Sequence, residues 1–189
     1  MSDYFRRAIG EAEAAMHRAV DLAPRLEAIS AAMIGSLRSG GVIYWCGNGG
    51  SAGDSQHLAA ELVGRYVLDR EPLASVALTT DTSVLTALSN DYGYEGVFAR
   101  QVQALGRPGD VIVAISTSGE SPSVLAALAA GRAIGMVTVA FTGATPCSAW
   151  ELSDHVVAAP ATEASLIQDV HIAVGQAVCG RVEQEFFAN

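Results

Sequence analysis

The sequence has few cysteines, few aromatic residues and no run of basic side chains. Its three cysteines, Cys46, Cys147 and Cys179, cannot all pair within one chain, and none lies in a C-x-x-C spacing. This pattern argues against a disulfide framework and a cysteine zinc site, and it favours the reducing cytosol. Eleven Lys and Arg residues against twenty Asp and Glu residues give a formal net charge of -9. Because nucleic acids bind through positive charge, we expect no direct nucleic-acid partner.

Long hydrophobic runs are also missing. The first twenty residues hold no apolar core of a signal peptide, and no later stretch reaches the about 18 uninterrupted apolar residues of a membrane span. We therefore expect a cytoplasmic protein without a membrane partner. Half of the 189 residues are hydrophobic, so the chain is long enough to bury a core without disulfides or metals.

The distribution of apolar residues predicts an α/β fold in a single domain, residues 1–189. Residues 3–39 carry apolar side chains at helical spacing, interrupted at Pro24, which predicts two helices in an N-terminal extension over 1–39. Short runs rich in β-branched residues follow, separated by helix-like stretches. Their near-continuous hydrophobicity is typical of parallel strands buried on both faces. We expect a three-layer sandwich with a central parallel five-stranded sheet flanked by helices. The predicted strands are Val42–Cys46, Ser75–Leu78, Val111–Ile115, Val137–Phe141 and His155–Ala158.

Two loops in this pattern are candidates for anion binding. The stretches VIYWCGNGGSAGDSQHLAAEL from Val42 and VIVAISTSGESPSVLAALAAG from Val111 both read as strand, small polar loop and Ala-rich helix. In parallel sheets such loops lie at the carboxyl ends of the strands, where ligands bind. The glycines of 47–51 allow backbone N–H groups to approach an anion at a helix N-terminus, and 116–121 adds hydroxyls. Without Lys or Arg, these loops suit a single phosphate group.

Other phosphate and nucleophile motifs fit the sequence less well. Gly47, Gly49 and Ala52 satisfy the Rossmann G-x-G-x-x-A pattern, but the acid that should follow after about 20 residues comes only at Asp81. There is no G-x-x-x-x-G-K-[ST] motif, and Ser118 does not lie in G-x-S-x-G. Ordinary tight turns remain the alternative for both loops.

Two pairs of polar residues are further candidates. His57 and Glu61 follow the first loop at a spacing of four, which puts them on one helix face about 6 Å apart along the axis. Such a pair can share a metal or divide acid and base roles, although it is more often a solvated surface pair. Asn90 and Asp91 precede a glycine, where turn formation and recognition of sugar hydroxyls are equally good interpretations.

Four stretches together resemble the phosphoheptose isomerases of the sugar isomerase (SIS) superfamily, in register from about residue 40 to 186. The resemblance implies the SIS fold and a cytoplasmic homotetramer with one zinc per subunit. It also implies conversion of D-sedoheptulose 7-phosphate, a small sugar phosphate, into D-glycero-D-manno-heptose 7-phosphate for bacterial lipopolysaccharide or other heptose products. The stretches are CGNGGSAGDSQHLAAELVGRY, VALTTDTSVLTALSNDYGYEGVFARQV, GDVIVAISTSGESPSVL and IQDVHIAVGQAVCGRVE.

The same resemblance implies roles for individual residues. Glu61 and Gln168 would serve substrate and metal, and His57 would be a metal ligand. Glu61 is also the candidate base, because shifting a proton between C1 and C2 through an enediol needs one. The remaining implied substrate contacts are Asn48, Gly49, Gly50, Ser51, Asn90, Asp91, Ser116, Thr117, Ser118 and Ser121.

One position departs from the family pattern. Eight residues after the Gln of IQ, members typically carry a His that binds zinc and transfers protons, whereas this chain has Gln176. His171 matches a different family position and does not inherit the role. An amide binds zinc less well than imidazole and cannot shuttle a proton, so Gln176, in the place of a catalytic and metal-binding residue, predicts weakened zinc binding and impaired turnover.

The spacing of the two glutamines predicts a shared site between subunits. Gln168 and Gln176 are separated by about 12 Å along a helix and by roughly 80° around it, so one metal does not collect both from one copy. If both belong to one site, different subunits supply them.

Gln176 also leaves two alternative functions open. One is a non-catalytic SIS protein that binds a phosphosugar or a partner, as the replication-initiator-associating members do. The other is an isomerase for a different ketose phosphate. His57 and Glu61 favour an enzyme, and Gln176 favours a binding protein.

Overall fold

The computed structural model describes residues 2–187, which form eight α-helices and five β-strands. Within these residues, no helix is both long and apolar enough to cross a bilayer. The elements are α1 (Ser2–Ala19), α2 (Ala23–Arg38), β1 (Ile43–Gly47), α3 (Gly50–Val63), β2 (Ser75–Ala77), α4 (Thr82–Tyr92), α5 (Val97–Leu105), β3 (Val111–Ile115), α6 (Pro122–Ile134), β4 (Val137–Gly143), α7 (Ser148–Glu151), β5 (His155–Ala159) and α8 (Ala164–Phe187). Short 3-10 turns at Val20–Leu22 and Tyr94–Gly96 connect neighbouring helices.

The five strands form one parallel sheet in the order β2-β1-β3-β4-β5. This confirms the predicted fold class, and each strand lies within two residues of its predicted bounds. The largest difference is β4, which continues through Thr142 and Gly143 beyond the predicted end at Phe141. All residues of β1 and β3 are buried, as expected for strands covered on both faces.

Alternate side chains of each strand enter two separate cores, which makes the fold three-layered. Trp45 of β1 points into the core formed with α1, α2, α3 and α8. Its neighbours Tyr44 and Cys46 point to the opposite face, where the core is formed with α5 and α6. Pro24 lies in the first turn of α2, so the interruption predicted there is a helix start.

Helices α3 and α8 pack side by side at very short range. A Cβ atom at Gly175 would lie 2.6 Å from Cδ1 of Leu58, and one at Gly180 would lie 2.8 Å from Cε1 of Tyr66. Both distances are shorter than a Cβ atom tolerates, so with these neighbours in place only glycine fits at either position. Gly175 therefore lets α8 approach α3 closely, and Gly180 leaves room for the ring of Tyr66, which follows α3.

A buried ion pair connects α8 with the end of α3. The side chains of Arg70 and Glu183 are each only 2% exposed, and Arg70 Nε donates to Glu183 Oε1 at 3.0 Å. The Glu183 carboxylate also accepts three backbone N–H bonds from residues 66–68. Arg70 donates in turn to the backbone oxygens of Leu62 and Glu61 at the end of α3. One ion pair thus ties α8 to the last turn of α3.

Replacing Glu183 with Gln is expected to lower the free energy of unfolding by about 2 kcal/mol at pH 7, because a buried Arg loses its counter-charge. Burial raises the pKa of the Glu183 carboxyl, but the backbone N–H bonds and Arg70 outweigh burial and lower it below its ordinary value of 4.5. A carboxylate with a depressed folded pKa stabilises the fold above its unfolded pKa, and that stability disappears as the pH falls through the folded pKa.

Urea unfolding of wild type and of Glu183→Gln at pH 7 and below about pH 4 measures this dependence. We expect the stability gap between the two proteins to narrow at the acidic pH. Glu13→Gln, on the exposed face of α1, is the matched control and should show no gap at either pH. A gap for Glu183→Gln that is equal at both values contradicts the assignment.

Candidate functional site

The loop between β1 and α3 brings backbone N–H groups to the carboxyl edge of the sheet. Gly49 has a φ of +57°, a conformation that favours glycine. A Cβ atom at Gly47 would lie 2.8 Å from the backbone oxygen of Ser51 and 2.9 Å from that of Ile115. Helix α3 begins at Gly50. The N–H groups of Ser51 and Ala52 donate to the backbone oxygens of Asn48 and Gly49, so within residues 2–187 the N–H groups of 48–50 are the ones left for a ligand at this edge. This geometry is suited to an anion.

The loop after β3 adds a cluster of hydroxyls beside it. Ser116 Oγ lies 3.1 Å from Ser121 Oγ and 3.4 Å from Ser118 Oγ, and it accepts a hydrogen bond from Gly119 N. Asn48 Nδ2 donates at 3.0 Å to Ser123 Oγ at the start of α6, directly after this loop, which joins the first loop to that helix. The structure therefore brings the two predicted loops together.

A cavity of about 280 Å³ opens next to these loops. Thr117 lines it, although the Thr117 backbone oxygen is occupied as the acceptor for Gly143 N. The cavity extends past the ends of β4 and β5, so it is built from the same edge of the sheet. Its lining residues are Thr117, Ser118, Gly143, Ala144, Thr145, Ala161, Thr162 and Ile167.

Gln168 lies over the start of α3. A Cβ atom at Gly50 would lie 2.6 Å from Nε2 of Gln168, so only glycine leaves room for the amide. The structure thus places Gln168 beside the first loop, within reach of a ligand held there.

His57, Glu61 and Gln176 form a second group of polar side chains, farther along α3. His57 Nε2 lies 2.9 Å from Glu61 Oε1, and Gln176 Nε2 lies 3.2 Å from His57 Nε2 and 3.4 Å from Glu61 Oε1. The Glu61 side chain is 16% exposed and that of His57 is 49% exposed. Within one chain, Gln176 meets this pair and Gln168 does not.

The geometry of this group fits the binding of a divalent cation, with the Gln176 amide as the one weak ligand. The three atoms are 2.9 to 3.4 Å apart, close to the separation of about 3.3 Å between ligands that surround zinc tetrahedrally at about 2.0 Å. The Gln176 amide must turn so that Oε1 faces the pair, because an amide nitrogen is not a ligand. Within residues 2–187 there is no group of three or more His, Cys, Asp or Glu side chains able to hold a metal. The chain offers one imidazole, one carboxylate and one amide.

His171, three residues after Gln168, is part of the core and not of either group. It is fully buried, and its Nε2 donates to the backbone oxygen of Thr142 at 3.0 Å. Burial lowers the pKa of the His171 imidazole to about 4, although the bond to Thr142 opposes this effect. The ring is therefore neutral near pH 7 and does not replace the missing family His as a proton shuttle.

Asn90 and Asp91 lie exposed at the end of α4. Asn90 Nδ2 donates to Asp91 Oδ1 at 2.8 Å, and neither side chain hydrogen-bonds to the other loops in the part of the chain that is described. The 3-10 turn that follows provides such a bond, since Tyr94 Oη donates to Asn48 Oδ1 at 2.8 Å. Sequence analysis missed Tyr94, for which the only signal was the Gly93 turn in NDYGYEG.

Asp54 is a second residue that the sequence analysis missed. It lies between Gly50 and His57 on α3, and its Oδ2 atom is buried without a hydrogen-bond partner among residues 2–187. Burial raises the pKa of the Asp54 carboxyl, the nearby Asp169 carboxylate raises it further, and His57 lowers it. Asp54 is thus a further carboxyl group on α3, close to His57.

Comparison with known proteins assigns the chain to a family. A family model described as "SIS domain" matches residues 7–143. A phosphoheptose isomerase of Roseiflexus sp. (strain RS-1) is 52% identical over 194 aligned positions, which cover 98% of this chain and 97% of that relative. The chain belongs to the phosphoheptose isomerase family.

Solved structures of phosphoheptose isomerases have the same fold. The structure from Neisseria gonorrhoeae has a TM-score of 0.92 and 38% identity, covering 97% of this chain and 98% of that one. The structure from Francisella tularensis has a TM-score of 0.93 and 29% identity, covering 96% and 97%. The SIS fold predicted from the four sequence stretches is therefore confirmed.

Proposed function

We propose that this chain is an aldose-ketose isomerase that converts D-sedoheptulose 7-phosphate into D-glycero-D-manno-heptose 7-phosphate. The observation that carries the proposal is the Glu61 carboxylate, held 2.9 Å from His57 Nε2 on the helix that begins at the glycine loop. A carboxylate base and a phosphate-binding edge are the two parts that a sugar phosphate isomerase needs. Membership of the phosphoheptose isomerase family supports the choice of substrate. Supply of heptose for lipopolysaccharide, in the cytoplasm, belongs to the same proposal.

The phosphate is held by the two loops at the sheet edge. Backbone N–H groups of 48–50, the Ser51 hydroxyl and the hydroxyls of 116–121 donate hydrogen bonds to its oxygens. Asn90, Asp91 and Gln168 contact the sugar hydroxyls. The complete set of proposed contacts in the two loops is Asn48, Gly49, Gly50, Ser51, Ser116, Thr117, Ser118 and Ser121.

Glu61 moves the proton. Its carboxylate takes a proton from C1 of the ketose, the electron pair forms the C1–C2 double bond of an enediol, and the C2 oxygen gains a proton from solvent water, to which the C1 oxygen later returns one. Return of the proton to C2, with loss of the proton from the C1 oxygen, completes the aldose. In the metal-free chain, His57 with its Nε2 protonated donates to Glu61 Oε1 and keeps that oxygen oriented. With zinc bound, the same nitrogen would be a ligand instead. Gln176 does not exchange protons near pH 7.

Zinc, one ion per subunit, would be held by His57 and Glu61 with weaker help from the Gln176 amide oxygen. When bound, it would polarise the sugar oxygens. Gln168 of a second subunit would complete this donor set. Removing zinc with a chelator should therefore lower turnover.

We include oligomerisation in the proposal because the phosphate loops and Glu61 of one chain are too far apart to contact the same substrate molecule. Gly50 and Glu61 are about 16 Å apart along α3, which is longer than the distance from the phosphate to C2 in an extended seven-carbon sugar. Glu61 of one subunit therefore acts on sugar whose phosphate lies on the loops of another, in a homotetramer. Gel filtration with activity measured across the fractions tests this arrangement, and an active monomer contradicts it.

Turnover of a panel of ketose phosphates tests the function. Sedoheptulose 7-phosphate, fructose 6-phosphate and a ketopentose phosphate are each incubated with the protein and zinc, and aldose formation is followed. We expect the highest kcat/KM for the heptulose. A higher kcat/KM for another ketose phosphate would favour the alternative that the chain is an isomerase for that substrate. Gln176 is the observation that favours a non-catalytic phosphosugar-binding protein, and binding of the heptulose without aldose formation would support it.

A further inference from the structure

The segment of residues 82–96, which contains Asn90 and Asp91, has few side-chain hydrogen bonds to the rest of the molecule. Helix α4 contains no buried residue. Its side-chain hydrogen bonds join residues that are close in sequence, as at the N-cap Asp81 and between Asn90 and Asp91. Among residues 2–187, the bond from Tyr94 Oη to Asn48 Oδ1 is the one side-chain hydrogen bond that joins this segment to a residue outside 81–96. Leu85 and Leu88 are partly buried and pack against the core, and the Tyr92 ring lies over Arg100. The Tyr94 hydroxyl supplies the hydrogen-bonded part of the attachment.

Asn48 receives this bond in the middle of the phosphate loop. Its Oδ1 accepts from Tyr94 Oη at 2.8 Å, and its Nδ2 donates to Ser123 Oγ on α6 at 3.0 Å. With one hydroxyl partner at each end, the plane of the amide is held in place. One lone pair of Oδ1 and one hydrogen of Nδ2 are left free. Asn48 therefore presents a defined donor and acceptor to a ligand.

The hydroxyl of Tyr94 is the part of the side chain that makes this link. Tyr94 is 54% exposed, so burial of its ring contributes little to holding the segment. Gly93, with a φ of +79°, turns the chain so that Tyr94 points back towards Asn48. The link joins positions that are 46 residues apart in sequence.

We propose that Tyr94 is a positioning residue for the sugar site. Its hydroxyl holds the end of α4, with Asn90 and Asp91, against the phosphate loop, and it fixes the Asn48 amide. The inference rests on the proposed function, because it assumes that these residues contact a sugar phosphate. Tyr94 acts through Asn48 and touches no reacting atom.

Tyr94→Phe removes only the hydroxyl, and Tyr92→Phe provides a matched control. Tyr92 is 58% exposed, its ring lies 3.9 Å from the Arg100 guanidinium carbon, and its hydroxyl makes no hydrogen bond within residues 2–187. For Tyr94→Phe we expect KM for sedoheptulose 7-phosphate to rise about 3- to 10-fold, the effect of one lost hydrogen bond, with kcat within twofold. Tyr92→Phe should leave both constants unchanged.

Hydrogen–deuterium exchange without sugar supplies a readout that does not depend on turnover. We expect the amides of 82–96 to exchange faster in Tyr94→Phe than in wild type or Tyr92→Phe. If wild type does not isomerise the heptulose, the proposed function is wrong. The exchange result still shows whether the bond from Tyr94 Oη to Asn48 holds residues 82–96 in place. Equal exchange in the three proteins overturns the inference, and so does a Tyr94→Phe variant that loses kcat at constant KM.

Discussion

Replacing Glu61 with Gln should lower kcat for sedoheptulose 7-phosphate by about 10³-fold, within the range for loss of a general base. The amide has the shape of the carboxylate and still accepts a hydrogen bond from His57, but it cannot take a proton from carbon. Because the phosphate loops are untouched, KM should change by less than about threefold. Steady-state kinetics with zinc present, at equal zinc content, measures both constants.

Glu13→Gln makes the same chemical change on the exposed face of α1 and should retain full activity. A melting temperature within a few degrees of wild type would show that Glu61→Gln is folded. If this folded variant keeps more than a tenth of the wild-type kcat, Glu61 is not the base, and another carboxylate along α3, with Asp54 the first candidate, takes its place.

Replacing Gln176 with His should raise kcat by about 10²-fold and increase zinc affinity by at least about tenfold. The new imidazole enters a position where the amide nitrogen lies 3.2 Å from His57 Nε2 and 3.4 Å from Glu61 Oε1. It restores a third strong metal donor and a group that exchanges protons near pH 7. Zinc content after dialysis and kcat are measured on the same preparation.

The matched control is Gln56→His, which adds an imidazole at an exposed position of α3 next to His57. Its side chain points about 100° away from that of His57 around the helix, so zinc content and kcat should stay at wild-type values. Unchanged zinc content and kcat in Gln176→His would contradict the role given to position 176.

Local sequence pattern was sufficient for the fold. Buried parallel strands are apolar on both faces, and Val111–Ile115 has the predicted bounds without change. Strand β4 was predicted too short because the apolar run ends at Phe141. In the structure Thr142 and Gly143 pair with Ala158 and Ala159 of β5, and Thr142 Oγ1 accepts a hydrogen bond from Trp150 Nε1. Pairing with the neighbouring strand thus extends β4 beyond its apolar run.

The parts of the site that the sequence did not show depend on contacts between distant residues. Tyr94 reaches Asn48 across 46 positions, and Arg70 reaches Glu183 across 113. No local pattern marks either partner, because a tyrosine in a turn or a glutamate on a helix is ordinary. The meeting of Gln176 with His57, 119 positions apart, was anticipated only because of the family resemblance. Its distances required the structure, whereas the separation of Gln168 from Gln176 follows from their spacing along one helix.

The most direct test follows sedoheptulose 7-phosphate by proton NMR in deuterium oxide, with wild-type protein and zinc. We expect aldose to form with deuterium at C2, because the base exchanges its proton with solvent during the enediol stage, and we expect Gln176→His to form it faster. Absence of aldose with wild type and with Gln176→His alike would contradict the proposal that this chain is a heptose phosphate isomerase.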